Sequence, residues 1–145
     1  MKKLVIVLTL AIMSISSICH AFEQPDPNRW VWLNSNDKYG FWLDKQTLKF
    51  EKINKLSTHQ GHNSANVWIQ VYNAETDQVA LQNVILDFDC TLLGPVSITL
   101  YDTNRTLINS YNHPVIEFTP IIPDTNGEFI YLVVKSIKEE KDKSK

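Results

Sequence analysis

Cysteine is scarce in this chain of 145 residues: there are two, Cys19 and Cys90. Cys19 falls in an N-terminal stretch, MKKLVIVLTLAIMSISSICHA. There Lys2 and Lys3 precede an apolar run from Leu4 to Met13, and small residues lead up to Ala21. This is the layout of a secretory signal peptide cleaved after Ala21. The run is too short to cross a bilayer as a retained anchor. A lipoprotein signal would place a small residue before the cysteine and an apolar one at −3, where Ile18 and Ser16 stand. Removing residues 1–21 from the 145 leaves 124, with Cys90 as their sole cysteine. An exported domain with one cysteine has no internal disulfide, so Cys90 is an inert buried thiol, an intermolecular bridge or a reactive group, with the first as the default.

Other absences narrow the function classes. Without Lys2 and Lys3 the 14 basic residues become 12, against 16 acidic, for a net charge of −4. No long block of one sign exists, which argues against nucleic-acid binding. There is no second membrane segment, no carboxy-terminal sorting signal, no internal repeat and no Gly-x-Ser-x-Gly nucleophile elbow. Gly94-Pro95 reads as turn punctuation rather than a phosphate loop.

What is present is a series of short alternating runs. An extended leader, FEQPDPNR (22–29), opens the expected mature chain. WVWL (30–33) and YGFWLD (39–44), divided by Asn and Asp, read as a hairpin. TLKFEKI (47–53), NVWIQVYNA (66–74), VALQNVILDFDC (79–90), PVSITLYD (95–102) and TLINSY (106–111) follow as further strands. Strands at short spacing with turn residues between them predict an antiparallel sheet. Near the end, Thr125 stands three residues before Glu128, a capping-box pattern. Phe129, Leu132, Val133 and Ile137 recur at helical spacing, so a helix is expected over 126–142 despite its β-branched residues. The fold class is α+β, mainly β: one sheet of about six strands with a C-terminal helix packed on it, in a domain spanning 30–142.

Candidate chemistry centres on VILDFDCTLL (84–93). Asp87, Asp89 and Thr91 fit the Asp-x-Asp-x-Thr opening of a Mg²⁺-dependent phosphatase of the haloacid-dehalogenase type. That chemistry needs a parallel strand between helices and further acidic ligands downstream. The residues after Thr91 offer no acidic pair at the end of an apolar strand, and no βαβ alternation appears. The better reading is a strand with Val84, Leu86, Phe88 and Cys90 on a core face and Ile85, Asp87, Asp89 and Thr91 on a wet one. On that reading Cys90 is buried and slow to react. His59 and His62, in THQGHN, are three residues apart and could share a metal, but a structural zinc site takes four ligands, so a solvated loop is the simpler reading. His113, before Pro114, reads as a turn residue. Catalytic, cofactor and metal residues are therefore not assigned. Trp30 and Trp32 share a strand face whose opposite, with Val31 and Leu33, is also apolar; one of the two faces is either a partner surface or lies under the helix.

Taken together, RWVWLNS, YGFWLD, VWIQVY, FDC, LYDTNRTLINSY and FTPIIPDTNGE occur in an order and spacing that resembles the surface-adhesin protein E-like family of small exported bacterial proteins. The resemblance runs from about Trp30 to Ser136. It implies a non-enzymatic binding module that adheres to host matrix proteins, and it alone brings in haem as a ligand. It leaves monomer or homodimer open. It also implies a disulfide from the Asp-Cys cysteine to the C-terminal segment, but that segment here reads YLVVKS, so Cys90 has lost that partner. Cell-surface display is what the resemblance implies; a periplasmic protein that binds another envelope component fits the residues as well.

Overall fold

The computed structural model describes residues 24–54 and 58–144. The expected signal segment 1–21 and the start of the leader lie outside the described residues. Among the described residues there are eight strands: β1 Trp30–Ser35, β2 Tyr39–Asp44, β3 Lys49–Lys52, β4 Asn63–Asn73, β5 Gln78–Asp87, β6 Leu92–Tyr101, β7 Leu107–Asn112 and β8 Thr119–Pro120, followed by the helix α1, Asn126–Lys143. They form one sheet with the path β1-β2-β4-β5-β6-β7, with β3 beside β4 and β8 beside β6. Every pairing is antiparallel.

The count of about six strands corrects to eight, for a reason in strand length. β4 is long enough to serve two partners end to end: β2 along Ile69–Asn73 and β3 along Asn63–Asn66. β6 does the same with β7 and with the two-residue β8. Short strands such as β3 and β8 satisfy backbone groups that the longer central strands would otherwise leave unpaired. The aromatic hairpin forms as expected, with Trp32 opposite Trp42 and a bulge at Leu33.

The side of the sheet facing α1 carries Leu33, Leu43, Ala65, Val67, Ile69, Val84 and Leu86, packed against Ile130 and Val134 of the helix. Of the expected apolar stripe of α1, Val133 and Ile137 do pack against this core, partly buried. Ile130 and Val134 are the buried residues of the helix, whereas Phe129 and Leu132 are exposed. Glu128 does reach back across the first turn, but it accepts the amide of Asp124, and the Thr125 hydroxyl donates to the Ile122 carbonyl instead of capping.

The other side is not the wet face that alternation predicts. Ile85, Val96, Ile53 and Ile116 form a second cluster there, with Phe118 against it. Residues Asn83 to Asp87 of β5 are therefore buried on both sides. Gly94 makes the close cover by residues 116–118 feasible, because a β-carbon there would collide with Ile116 Cγ2. Gly94 and Pro95 lie within β6 rather than in a turn. Pro95 sits opposite Val84, where the ladder shifts register, and an irregularity of that kind tolerates a residue with no amide hydrogen to give.

Candidate functional site

β5 ends at Asp87, so the alternation expected to run on to Thr91 stops there. The chain turns at Phe88–Thr91, and Thr91 takes a left-handed conformation (φ 57°) before β6 begins. Cys90 is thus carried out of the sheet, and it is exposed rather than buried. Its expected place on the core face is corrected. Asp87 moves the opposite way. It points to the side away from α1, where the Thr58–His62 loop and Phe118 cover it, and its side chain is 0 % exposed.

That loop delivers two imidazoles to the carboxylate. Gly61 takes φ +89°, which favours glycine, and its amide donates to the Ile53 carbonyl; Ile53 in turn donates to the His62 carbonyl. So held, His59 Nδ1 lies 2.7 Å and His62 Nδ1 2.8 Å from the same oxygen, Asp87 Oδ2. Both nitrogens donate to an ionised acceptor, so each Nδ1 carries its proton here. The other oxygen, Oδ1, accepts the amides of Asp89 at 2.9 Å and Cys90 at 3.2 Å. Burial alone would raise the Asp87 pKa. The hydrogen bonds from His62, the Cys90 amide, His59 and the Asp89 amide outweigh it and hold the carboxyl below the usual aspartate range.

The fourth participant is Cys90, whose Sγ stands 3.8 Å from His62 Nδ1. One donor atom from each of His59, His62, Asp87 and Cys90 falls within 4.8 Å of all the others. Asp89 supports the arrangement from outside. Its carboxylate accepts both the side-chain and backbone N–H of Asn63, tying the start of β4 to the 88–91 turn. These contacts keep the Asp89 carboxyl low as well. His59 is packed on Phe118, with ring centroids 4.8 Å apart, and meets His62 edge-on at 5.2 Å. Two imidazoles, a carboxylate and a thiol are a donor set able to hold a borderline-soft metal ion.

The histidine pair was visible in the sequence as a three-residue spacing, and so was the identical spacing from Asp87 to Cys90. What joins them is register: Ser64 sits directly opposite Asp87 across β4 and β5, so His62 arrives beside the end of β5. His113 is remote from this group and packs edge-on against Tyr111.

The tryptophans take a second place on the same side of the sheet. Trp32 is 58 % exposed, while its cross-strand partner Trp42 is buried with its ring lying across Gly40. Trp30 is half-buried beneath the guanidinium of Arg29, 5.2 Å from the ring centre. Arg29 is itself fixed by two hydrogen bonds to the buried Asp44, at 2.6 and 2.9 Å. Beside them runs an open groove of about 350 Å³ lined by Arg29, Trp30, Gln70, Leu81 and Arg105, among others. Gln70 is buried, and its amide nitrogen has no hydrogen-bond partner among the described residues. Val31 and Leu33 occupy the opposite face of β1, and Leu33 lies in the core under α1.

In comparisons with known proteins, no family model matches the chain, and neither does any curated protein or solved structure. Among the described residues, no helix is long and apolar enough to cross a membrane.

Proposed function

We propose that this chain is an exported, non-enzymatic binding module of the surface-adhesin protein E-like kind. Its partner is a host matrix protein, and the surface that takes it is the one built on Trp30 and Trp32. The observation that carries the reading is the Gln70 amide. A buried polar group without a partner costs about 1–3 kcal/mol, a cost that a ligand's carbonyl or carboxylate would remove. That amide lines an open groove whose rim holds two arginines and Trp30, with the exposed Trp32 two residues further along β1. Tryptophan and arginine are the residues most enriched where protein partners bind tightly. Haem enters this proposal through the resemblance alone.

The surroundings of Asp87 support a non-enzymatic reading over the phosphatase. β5 is antiparallel to both of its neighbours, and both oxygens of Asp87 are already engaged by histidine and backbone donors. An attacking carboxylate needs an open path to phosphorus at the end of a parallel strand.

The test is capture on immobilised host matrix extract and, in parallel, on bacterial envelope extract, using wild type and Trp32→Ala. The exposed tryptophan should contribute about 2 kcal/mol or more, so binding to matrix should weaken about thirtyfold while the far-ultraviolet circular dichroism stays unchanged. Recovery of envelope proteins only would replace the adhesin with a periplasmic binding module. Mg²⁺-dependent phosphatase activity lost in Asp87→Asn would overturn both.

A further inference from the structure

We propose that His59, His62, Asp87 and Cys90 form a site for a divalent transition-metal ion of the zinc class. Four protein donors of this mixture suit a closed, structural tetrahedral site, whereas magnesium and calcium favour sites made of oxygens. The donors come as two pairs with the same spacing, His-x-x-His and Asp-x-x-Cys. Each pair sits where a turn meets a strand, and the two strands are neighbours in the sheet.

Geometry supports the assignment. Zinc bonds of about 2.0–2.3 Å at tetrahedral angles place neighbouring donors about 3.3–3.6 Å apart. The present separations bracket that range: 2.7 and 2.8 Å from the histidines to Asp87, 3.8 Å from Cys90 to His62, and none above 4.8 Å. Binding would part the histidines from the carboxylate by about half an ångström and draw the thiol inward. On binding, the Cys90 thiol gives up its proton to solvent, and in each imidazole the proton moves by exchange with solvent from Nδ1 to Nε2, leaving Nδ1 to the ion.

The support around the donors is that of a prepared site. Asp87 Oδ1 is fixed by two amides, leaving Oδ2 turned towards the histidines. Phe118 backs His59, Asp89 clamps the start of β4, and the Ile53 pairing holds the loop. Partners of this type orient ligands and raise affinity. The exposed Cys90 and the partly exposed side chain of His62 (33 %) leave a way in from solvent. A hydrogen-bonded pair of histidines on a buried aspartate would be complete without a thiol. The convergence of Cys90 on the same point is what separates a metal site from such a pair.

This proposal is independent of the partner surface, since Leu81 and Asp87 lie on one face of β5 about 20 Å apart. The test uses the tag-free chain, stripped with a chelator and then titrated with Zn²⁺ alone in competition with a chromogenic chelator. One ion should bind per chain, and Mg²⁺ should not displace it. Co²⁺ in its place should give a thiolate-to-cobalt charge-transfer band that Cys90→Ser abolishes. Loss of a supporting residue weakens metal sites about 10–100-fold, so loss of a direct ligand in Cys90→Ser or His62→Gln should weaken Zn²⁺ at least about tenfold. Failure of wild type to bind one ion per chain would overturn the site, and so would undiminished affinity in both folded variants. Alkylation of Cys90 in the wild type gives a reading that needs no variant. Saturating Zn²⁺ should slow it at least about tenfold, and an unchanged rate would sink the proposal.

Discussion

β5 is covered on both of its sides near Asp87, but by different means. On one side, Val84 and Leu86 lie under Ile130 and Val134 of an eighteen-residue helix. On the other, Ile85 and Asp87 lie under segments without regular structure: Ile53, the Thr58–His62 loop, and Ile116 with Phe118. A helix covers a sheet with a continuous apolar stripe, and its backbone is satisfied internally. A loop must find partners for its polar groups at the place it covers, and a buried carboxylate supplies them. The helix-covered side is therefore a hydrophobic core, and the loop-covered side gathers the titratable and metal-ligating groups.

The largest expected effect lies on the helix side. Leu86→Ala should cost about 2–5 kcal/mol in urea unfolding, because the cavity opens at a fully buried position between sheet and helix. A cost below 1 kcal/mol would mean that α1 is not the main cover. On the loop side, Gly94→Ala should cost about 1–3 kcal/mol, since the new β-carbon must displace Ile116. Asp87→Asn should cost about 1–3 kcal/mol by removing the ionised acceptor that both histidines share, and hydrogen exchange should rise at the Gly61 and Ile53 amides. Exchange rising equally across β2 would contradict a local role. The smallest effect belongs to Cys90→Ser in metal-free protein, within about 0.5 kcal/mol, because the thiol is exposed. Native Cys90 should correspondingly react with a thiol reagent without prior unfolding, and slow labelling would return it to the core.

The two sides also differ in how far they could be read from sequence. Val84 and Leu86 share one face of an alternating strand and meet a helix announced by its own apolar spacing, so their burial is legible. The expected stripe on α1 holds at Val133 and Ile137 and fails at Phe129 and Leu132, because Phe129, Ile130, Leu132, Val133 and Val134 are all apolar and only packing selects among them. Alternation puts Ile85 and Asp87 on a wet face because it describes a single strand and contains no information about a loop that returns over it. Cys90 was misplaced for a related reason. Apolar character continues through Phe88 and Leu92, but the strand stops at Asp87, whose carboxylate accepts the amides of Asp89 and Cys90 and bends the chain away. Two apolar faces on β1 leave open which one meets the helix; packing puts Leu33 under α1 and leaves Trp32 exposed.

By itself, the sequence determined the antiparallel strands, the aromatic hairpin and the terminal helix, because each is written in spacings of a few residues. It also held both halves of the metal-ligating set, two pairs at identical spacing about 25 residues apart. Only the tertiary structure decided that these halves meet. Ser64 pairs with Asp87 because a one-residue slip would turn the apolar residues of β4 away from the helix. That register, fixed by burial along the whole strand, is what brings His59 and His62 to the aspartate and the cysteine.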